Sequence, residues 1–151
     1  MASTLEELPL YQKVVEFWTA VTEMLTTPAL RRDRQLYDQI AAANDSIEAN
    51  MKEGFEQPTD AAFAHLVFVA KGSTAEVIVR LKQAHRKRYI SDEQLTRIVD
   101  LGEPLGKMMG GFVKYLATSG FTDRGRHSIA PRPRRPTTRT RAPRRSERWP
   151  S

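Results

Sequence analysis

The chain has no cysteine, which excludes disulfides, zinc–thiolate sites and a cysteine nucleophile, and fits a reducing compartment. Histidine is scarce too. Of the three present, His65 and His85 lie 20 residues apart on what reads as one helix, about 30 Å along its axis. His127 belongs to the C-terminal segment, so no two histidines form a site together. No glycine-rich phosphate loop is present, because Gly110-Gly111 precedes Phe112 inside a helical pattern and matches no P-loop spacing. A di-iron bundle needs paired Glu-x-x-His motifs, yet the residues three beyond Glu16, Glu53, Glu76 and Glu93 are Thr19, Glu56, Val79 and Thr96. We therefore expect no metal, no cofactor and no catalytic residues.

Long apolar runs are also missing. The longest, from Ala61 to Ala70, is interrupted by His65 and falls short of the roughly 20 residues that cross a bilayer. The N-terminal MASTLEELPL lacks the basic and apolar regions of a signal peptide. The expectation is a soluble, cytoplasmic protein with no membrane role. Gly102, Gly106 and Gly110 are spaced by four, but Asp100, Glu103 and Lys107 interrupt them. That spacing signals membrane dimers only in an apolar stretch, so it reads as a packing face on a helix kinked at Pro104.

What is present is helical periodicity. Pro9 can open a first helix, on which Leu10, Val14, Phe17, Val21 and Met24 run beside Tyr11, Val15, Trp18 and Leu25. Thr27-Pro28 ends it. Asp33 is a candidate N-cap for a second helix through Leu36, Ile40, Ile47 and Met51 to Phe55, with Gly54 as its C-terminal glycine. After the turn at Gln57-Pro58, either Thr59 or Asp60 caps a third. Its Phe63, Val67, Ala70, Thr74, Val77, Leu81 and Ala84 alternate steps of four and three. The basic Arg86, Lys87 and Arg88 suit the negative end of its dipole. Ser91 to Gln94 is a capping box before a fourth helix carrying Leu95, Ile98, Leu101, Leu105, Met108, Met109, Phe112 and Leu116.

Two stretches, Asn44 to Gly54 and Gly72 to Glu76, interrupt these apolar patterns with small and polar residues. Ser46, Asn50 and Glu53 fall on one helix face, and Ser73 and Glu76 pair on the next helix, with Gly72 leaving room for a neighbouring backbone. Facing each other, they form a structural polar layer; the alternative is a solvated face. Glu53 and Glu76 brought together would raise one pKa and resemble an acid/base pair, which structural networks also do.

These same residues carry a resemblance. The order Gln39-Ile40, Ser46-Ile47, Asn50, Glu53-Gly54-Phe55, then Gly72-Ser73 and Glu76, resembles the four-helix bundle family of proteins encoded in intervening sequences of bacterial 23S ribosomal RNA genes. The resemblance runs from about Leu8 to Leu116. It departs at Ala41 and Ala42, where the family often has arginines, and at Glu48, where it often has proline. It implies a homopentamer and, through the accessory protein of diversity-generating retroelements, an engagement with nucleic acid.

The net charge of +6 conceals an asymmetry. Residues 122–151 hold ten arginines against Asp123 and Glu147, whereas residues 1–121 hold 14 basic and 16 acidic side chains. With five prolines and almost no aliphatics, this tail cannot bury enough apolar surface to offset ordering entropy and is expected to be disordered. Arg132, Arg134, Arg135, Arg139, Arg141, Arg144 and Arg145 are the candidate nucleic-acid-binding residues, since clustered arginines neutralise phosphates without sequence preference. The alternative is a tail that only solubilises.

The sequence thus predicts an all-α protein: an up-down-up-down antiparallel four-helix bundle over residues 8–120 and a disordered Arg/Pro-rich tail over 121–151. The expected function is non-enzymatic binding of nucleic acid, RNA more than DNA, by a homo-oligomer. The alternative is a scaffold or adaptor that binds a protein partner through the bundle surface.

Overall fold

Leu8 keeps an extended backbone and Pro9 takes the first position of α1 (Pro9–Met24), where a missing N–H costs nothing because that group has no helical partner. One 3-10 turn, Leu5–Glu7, precedes it. The computed structural model describes residues 3–118. The tail, its seven candidate arginines and the expected boundary at residue 120 lie outside the described residues.

The break at Pro28 is followed by a short helix that the pattern did not suggest, α2 (Pro28–Arg32). Pro28 again sits at a helix start, and Leu30 is fully buried. α3 (Arg34–Phe55) begins at Asp33, whose carboxylate accepts from the Leu36 N–H at 3.2 Å. α4 (Asp60–Arg86) is capped by Thr59 rather than Asp60, with Oγ1 accepting from the Ala62 N–H at 3.1 Å. α5 (Asp92–Thr118) opens with the reciprocal box: the Gln94 N–H donates to Ser91 Oγ at 3.1 Å and the Ser91 N–H to Gln94 Oε1 at 2.8 Å. Each cap is worth about 1 kcal/mol.

All seven residues of the four-and-three series on α4 are buried, as are Leu10, Val14, Phe17, Val21 and Met24 on α1. The second stripe of α1 divides: Tyr11 and Leu25 are buried, Trp18 is half-buried and Val15 is exposed. α3 packs on α4, α4 on α5, α5 on α1 and α1 on α3. Each long helix therefore has two main neighbours around one core, in which Phe17, Ile47, Met51, Phe63, Leu81 and Met109 have almost no exposed surface. Among the described residues the protein is an all-helical bundle without strands.

Two glycine expectations resolve differently. Gly54 is not a C-cap: it lies inside α3, buried, where a Cβ would stand 2.6 Å from Phe63 Cδ2 and 3.2 Å from Leu66 Cβ. Its role is the close approach of α3 to α4. Gly102 does the same on α5, since a Cβ there would meet Ile78 Cδ1 and Phe17 Cε2 at 2.7 Å. Gly106 has open space beside it and Gly110 faces only Lys71, so the glycine series is no continuous packing face. α5 runs on through Pro104, which is exposed.

By length and composition alone α4 is apolar enough to cross a membrane, with a mean hydropathy of 1.4 over its best window. In the fold it is the helix flanked by α3 and α5, the position that demands two apolar sides.

Candidate functional site

The polar residues of α3 and α4 meet in part. Ser46 Oγ and Ser73 Oγ are 2.9 Å apart across the two helices. Asn50 Nδ2 donates to Ser46 O at 2.7 Å and to Ser46 Oγ at 3.0 Å. All three are half-buried. Ser46 therefore works as the junction, accepting from Asn50 while hydrogen-bonding the Ser73 hydroxyl. Glu53 and Glu76 are exposed and stand outside this hydrogen-bonded set. The structure thus brings together Ser46, Asn50 and Ser73, and does not bring the two carboxylates into the same network.

A second polar contact ties α3 to α1 through a residue that the sequence reading did not single out. Asn44 is 1% exposed, and its Nδ2 donates to Trp18 O at 3.3 Å and Thr22 Oγ1 at 3.5 Å. The signal was available, because Asn44 sits between Ile40 and Ile47 on the apolar stripe. Nearby, Tyr11 OH donates to Glu48 Oε1 at 2.8 Å and Lys52 Nζ lies 3.0 Å from the same oxygen. Burial and the Glu48 hydrogen bond push the Tyr11 hydroxyl up to about 12. Burial alone would raise Glu48, but the hydrogen bonds from Lys52 and Tyr11 outweigh it and hold the carboxyl below its ordinary value. Thr74, at a core position of α4, returns its hydroxyl to Ala70 O at 2.9 Å, which lets the buried hydroxyl keep a partner.

The corner between α2 and α3 is fastened to the α4–α5 loop by Asp33. Its Oδ2 accepts from Lys87 Nζ and from Tyr89 OH, each at 3.0 Å. The hydrogen bond from Lys87, then that from the Leu36 N–H, hold the Asp33 carboxyl below its ordinary value, and the same Asp33 bond raises Lys87. His85, at the end of α4, is bonded to Asp92 at the start of α5, while His65 is exposed on α4.

The outer side of α4 is apolar. Phe68, Gly72, Ala75 and Val79 share one helix face by their spacing and are all exposed, Phe68 by 62% and Val79 by 58%. Beside it, between α4 and α5, runs a groove of about 390 Å³ lined by Ala75, Ile78, Val79 and Gly106, with Lys71 and Lys107 in its walls. On α5, Met108 and Tyr115 are likewise exposed. A Cβ added at Gly72 would meet nothing within 4 Å, so the room that this glycine leaves opens outward.

Comparison with known proteins places this geometry. The family model described as 23S rRNA-intervening sequence protein matches residues 6–111. Among solved structures the chain is similar to a protein of unknown function from the S23 ribosomal protein family of Bacteroides thetaiotaomicron, with a TM-score of 0.63 and 22% identity. That similarity covers 70% of this chain and 98% of the other. No match is found among curated proteins.

Proposed function

The chain belongs to the 23S rRNA-intervening sequence protein family, and from that premise we propose that it is a non-enzymatic, oligomeric helical bundle that binds nucleic acid through its arginine-rich tail. The observation that carries this reading is the segregation of charge. Ten arginines against two acidic residues lie in residues 122–151, while the preceding residues carry more acidic than basic side chains. A polyanion is drawn to one segment of such a chain and repelled by much of the rest. The ribosomal RNA in the family's name favours RNA over DNA as the target, in the cytoplasm and away from any membrane.

The architecture behind the reading is an up-down-up-down four-helix bundle. Its support is the order of contacts: Gly54 lies near Phe63, Ser46 meets Ser73 and Asp33 meets Lys87, so α3 and α4 run oppositely. Likewise Thr74 meets Met109 and His85 meets Asp92 between α4 and α5. Tyr11 with Glu48 and Trp18 with Asp45 order α1 against α3 in the same way. The exposed Phe68 and Val79 favour self-association, since burying each apolar side chain contributes about 1.5–3 kcal/mol. The family resemblance implies five copies. Five tails on one body multiply weak phosphate contacts by avidity. Glu53 and Glu76, the carboxylates weighed as an acid/base pair, are exposed and outside the polar network, which supports the non-enzymatic reading.

The same apolar face supports a second reading, a scaffold whose bundle docks a protein partner and whose tail is incidental. One experiment separates the two. Binding of a labelled single-stranded RNA and a DNA duplex is measured for the full chain and for a variant with the seven candidate arginines, Arg132 to Arg145, changed to glutamine. The proposal expects RNA affinity to fall by at least about tenfold in the variant. Equal affinity in the two chains overturns the tail as the binding element.

A further inference from the structure

The end of the bundle where α2 meets α3 and α4 turns into α5 carries cations that the fold leaves unused, and we propose that it is a second phosphate-binding surface, centred on Arg88, that holds the backbone of an RNA strand. It is a site on the body, separate from the tail; it takes its choice of RNA from the reading above.

The Asp33 contacts to Lys87 and Tyr89 set residues 31–34 beside residues 86–89. Arg31, Arg32, Arg34, Arg86, Lys87 and Arg88 are all exposed there. Lys87 is paired with Asp33, and Arg34 approaches Asp38 at 3.8 Å. Arg31, Arg32, Arg86 and Arg88 make no ion pair among the described residues, and Asp92 at this end is already engaged by His85. Four guanidinium groups are left facing solvent.

Arg88 also has a backbone that calls for another residue. The Arg88 N–H donates to His85 O at 2.9 Å and the Tyr89 N–H to Ala84 O at 3.0 Å, the paired bonds that close a helix with its next residue in the left-handed region. Arg88 adopts that conformation, φ 61°, and is the one described non-glycine residue with positive φ. Glycine is the usual occupant because a Cβ there is strained. Holding an arginine at a glycine position makes sense if its side chain is used, and among the described residues it makes no ion pair.

The chemistry fits a phosphodiester strand. The planar guanidinium fork matches two phosphate oxygens at once. Two aromatic rings stand among the cations, Tyr37 with the Arg34 guanidinium 5.6 Å from its centroid and Tyr89 with Lys87 Nζ at 5.9 Å. Alternating cations and rings suit a chain that offers both phosphates and bases. α5 begins at this end and finishes at Thr118, about 40 Å away along its axis. Thr118, the last described residue, therefore lies at the opposite end of the bundle from this surface.

The test uses the full chain and a fluorescein-labelled single-stranded RNA, with anisotropy followed over a range of salt. Arg88→Gly is the sharpest variant, because it should raise the melting temperature by a few degrees while weakening RNA binding several-fold and reducing the log–log salt slope by about 0.7. The triple variant Arg31→Gln, Arg32→Gln, Arg86→Gln should lose about two units of slope. Wild-type affinity in both variants overturns the body site, and a loss confined to the tail-arginine variant then leaves the tail reading standing. Loss in the body variants with normal binding by the tail variant supports this site and removes the tail instead. Competition by poly-glutamate as effective as unlabelled RNA also overturns it, by assigning the surface to an acidic protein. If the wild-type chain binds no RNA, both sites fall.

Discussion

Ser46 on α3 and Ser73 on α4 join their hydroxyls in a hydrogen bond of 2.9 Å, and Asn50 donates a second hydrogen bond to Ser46 Oγ. The junction lies midway between two other points at which these elements meet, Gly54 against Phe63 and Asp33 against Lys87. Ser46→Ala removes both side-chain contacts and should cost about 1–2 kcal/mol, while Ser73→Ala removes one and should cost about 1 kcal/mol. Urea unfolding of the two variants checks the order. A Ser73→Ala loss larger than that of Ser46→Ala would contradict the assignment of Ser46 as the junction.

Gly54 and Gly72 should respond in opposite directions to the same substitution. Alanine favours a helix over glycine by about 1 kcal/mol, and at Gly72 nothing within 4 Å resists the added carbon. At Gly54 the new Cβ would press on Phe63 at 2.6 Å, and overpacking of this kind costs about 1–3 kcal/mol. Thermal melting should therefore rise for Gly72→Ala and fall for Gly54→Ala.

The helices were legible because period and punctuation agreed. The four-and-three series from Phe63 to Ala84 is buried throughout, and Asp33, Thr59 and Ser91 with Gln94 cap the helices that they precede. What the sequence hid were choices between equal patterns. A stripe at helical spacing says which residues share a face without saying where one neighbour ends and solvent begins; Ser46 reaches Ser73 on α4 and Asn50 bonds back to Ser46, while Glu53, a turn later, is exposed. α2 escaped because five residues are too few to carry a period, and a proline that stops one helix starts the next. Gly54 read as a cap because it stands one residue from a helix end, whereas its neighbour Phe63 is distant in sequence. Arg88 was legible as a charge and not as a backbone, since nothing in a side chain's identity reports a positive φ.

The Asp33–Lys87 contact should make stability depend on pH at both extremes. Asp33 is held below its ordinary value in the fold, so its contribution is present above the unfolded-state value of about 3.9 and is lost as pH falls through the lowered folded value. Lys87 is raised, so its contribution is present below about 10.4 and is lost as pH rises through the higher folded value. Asp33→Asn keeps a good N-cap but removes the charge. Stability measured against pH should be lower for this variant near neutrality, and its decline below about pH 4 should be shallower than that of the wild type. Parallel curves for the two chains would contradict the account.

The apolar face of α4 should be covered in solution. Light scattering of the full chain is expected to give a mass near five times 17.2 kDa. Phe68→Glu and Val79→Glu place charges on exposed positions, so each should leave helix content intact and reduce the mass. A monomeric wild type would contradict self-association through this face.

The measurement that tests the central claim most directly is the salt dependence of RNA binding by the full chain. Each phosphate neutralised on a single strand contributes about 0.7 to the log–log slope, so seven engaged tail arginines predict a slope near −5, steeper still if the body site adds to it. Binding whose affinity does not change between low and physiological salt would contradict a phosphate-binding tail, whatever its strength.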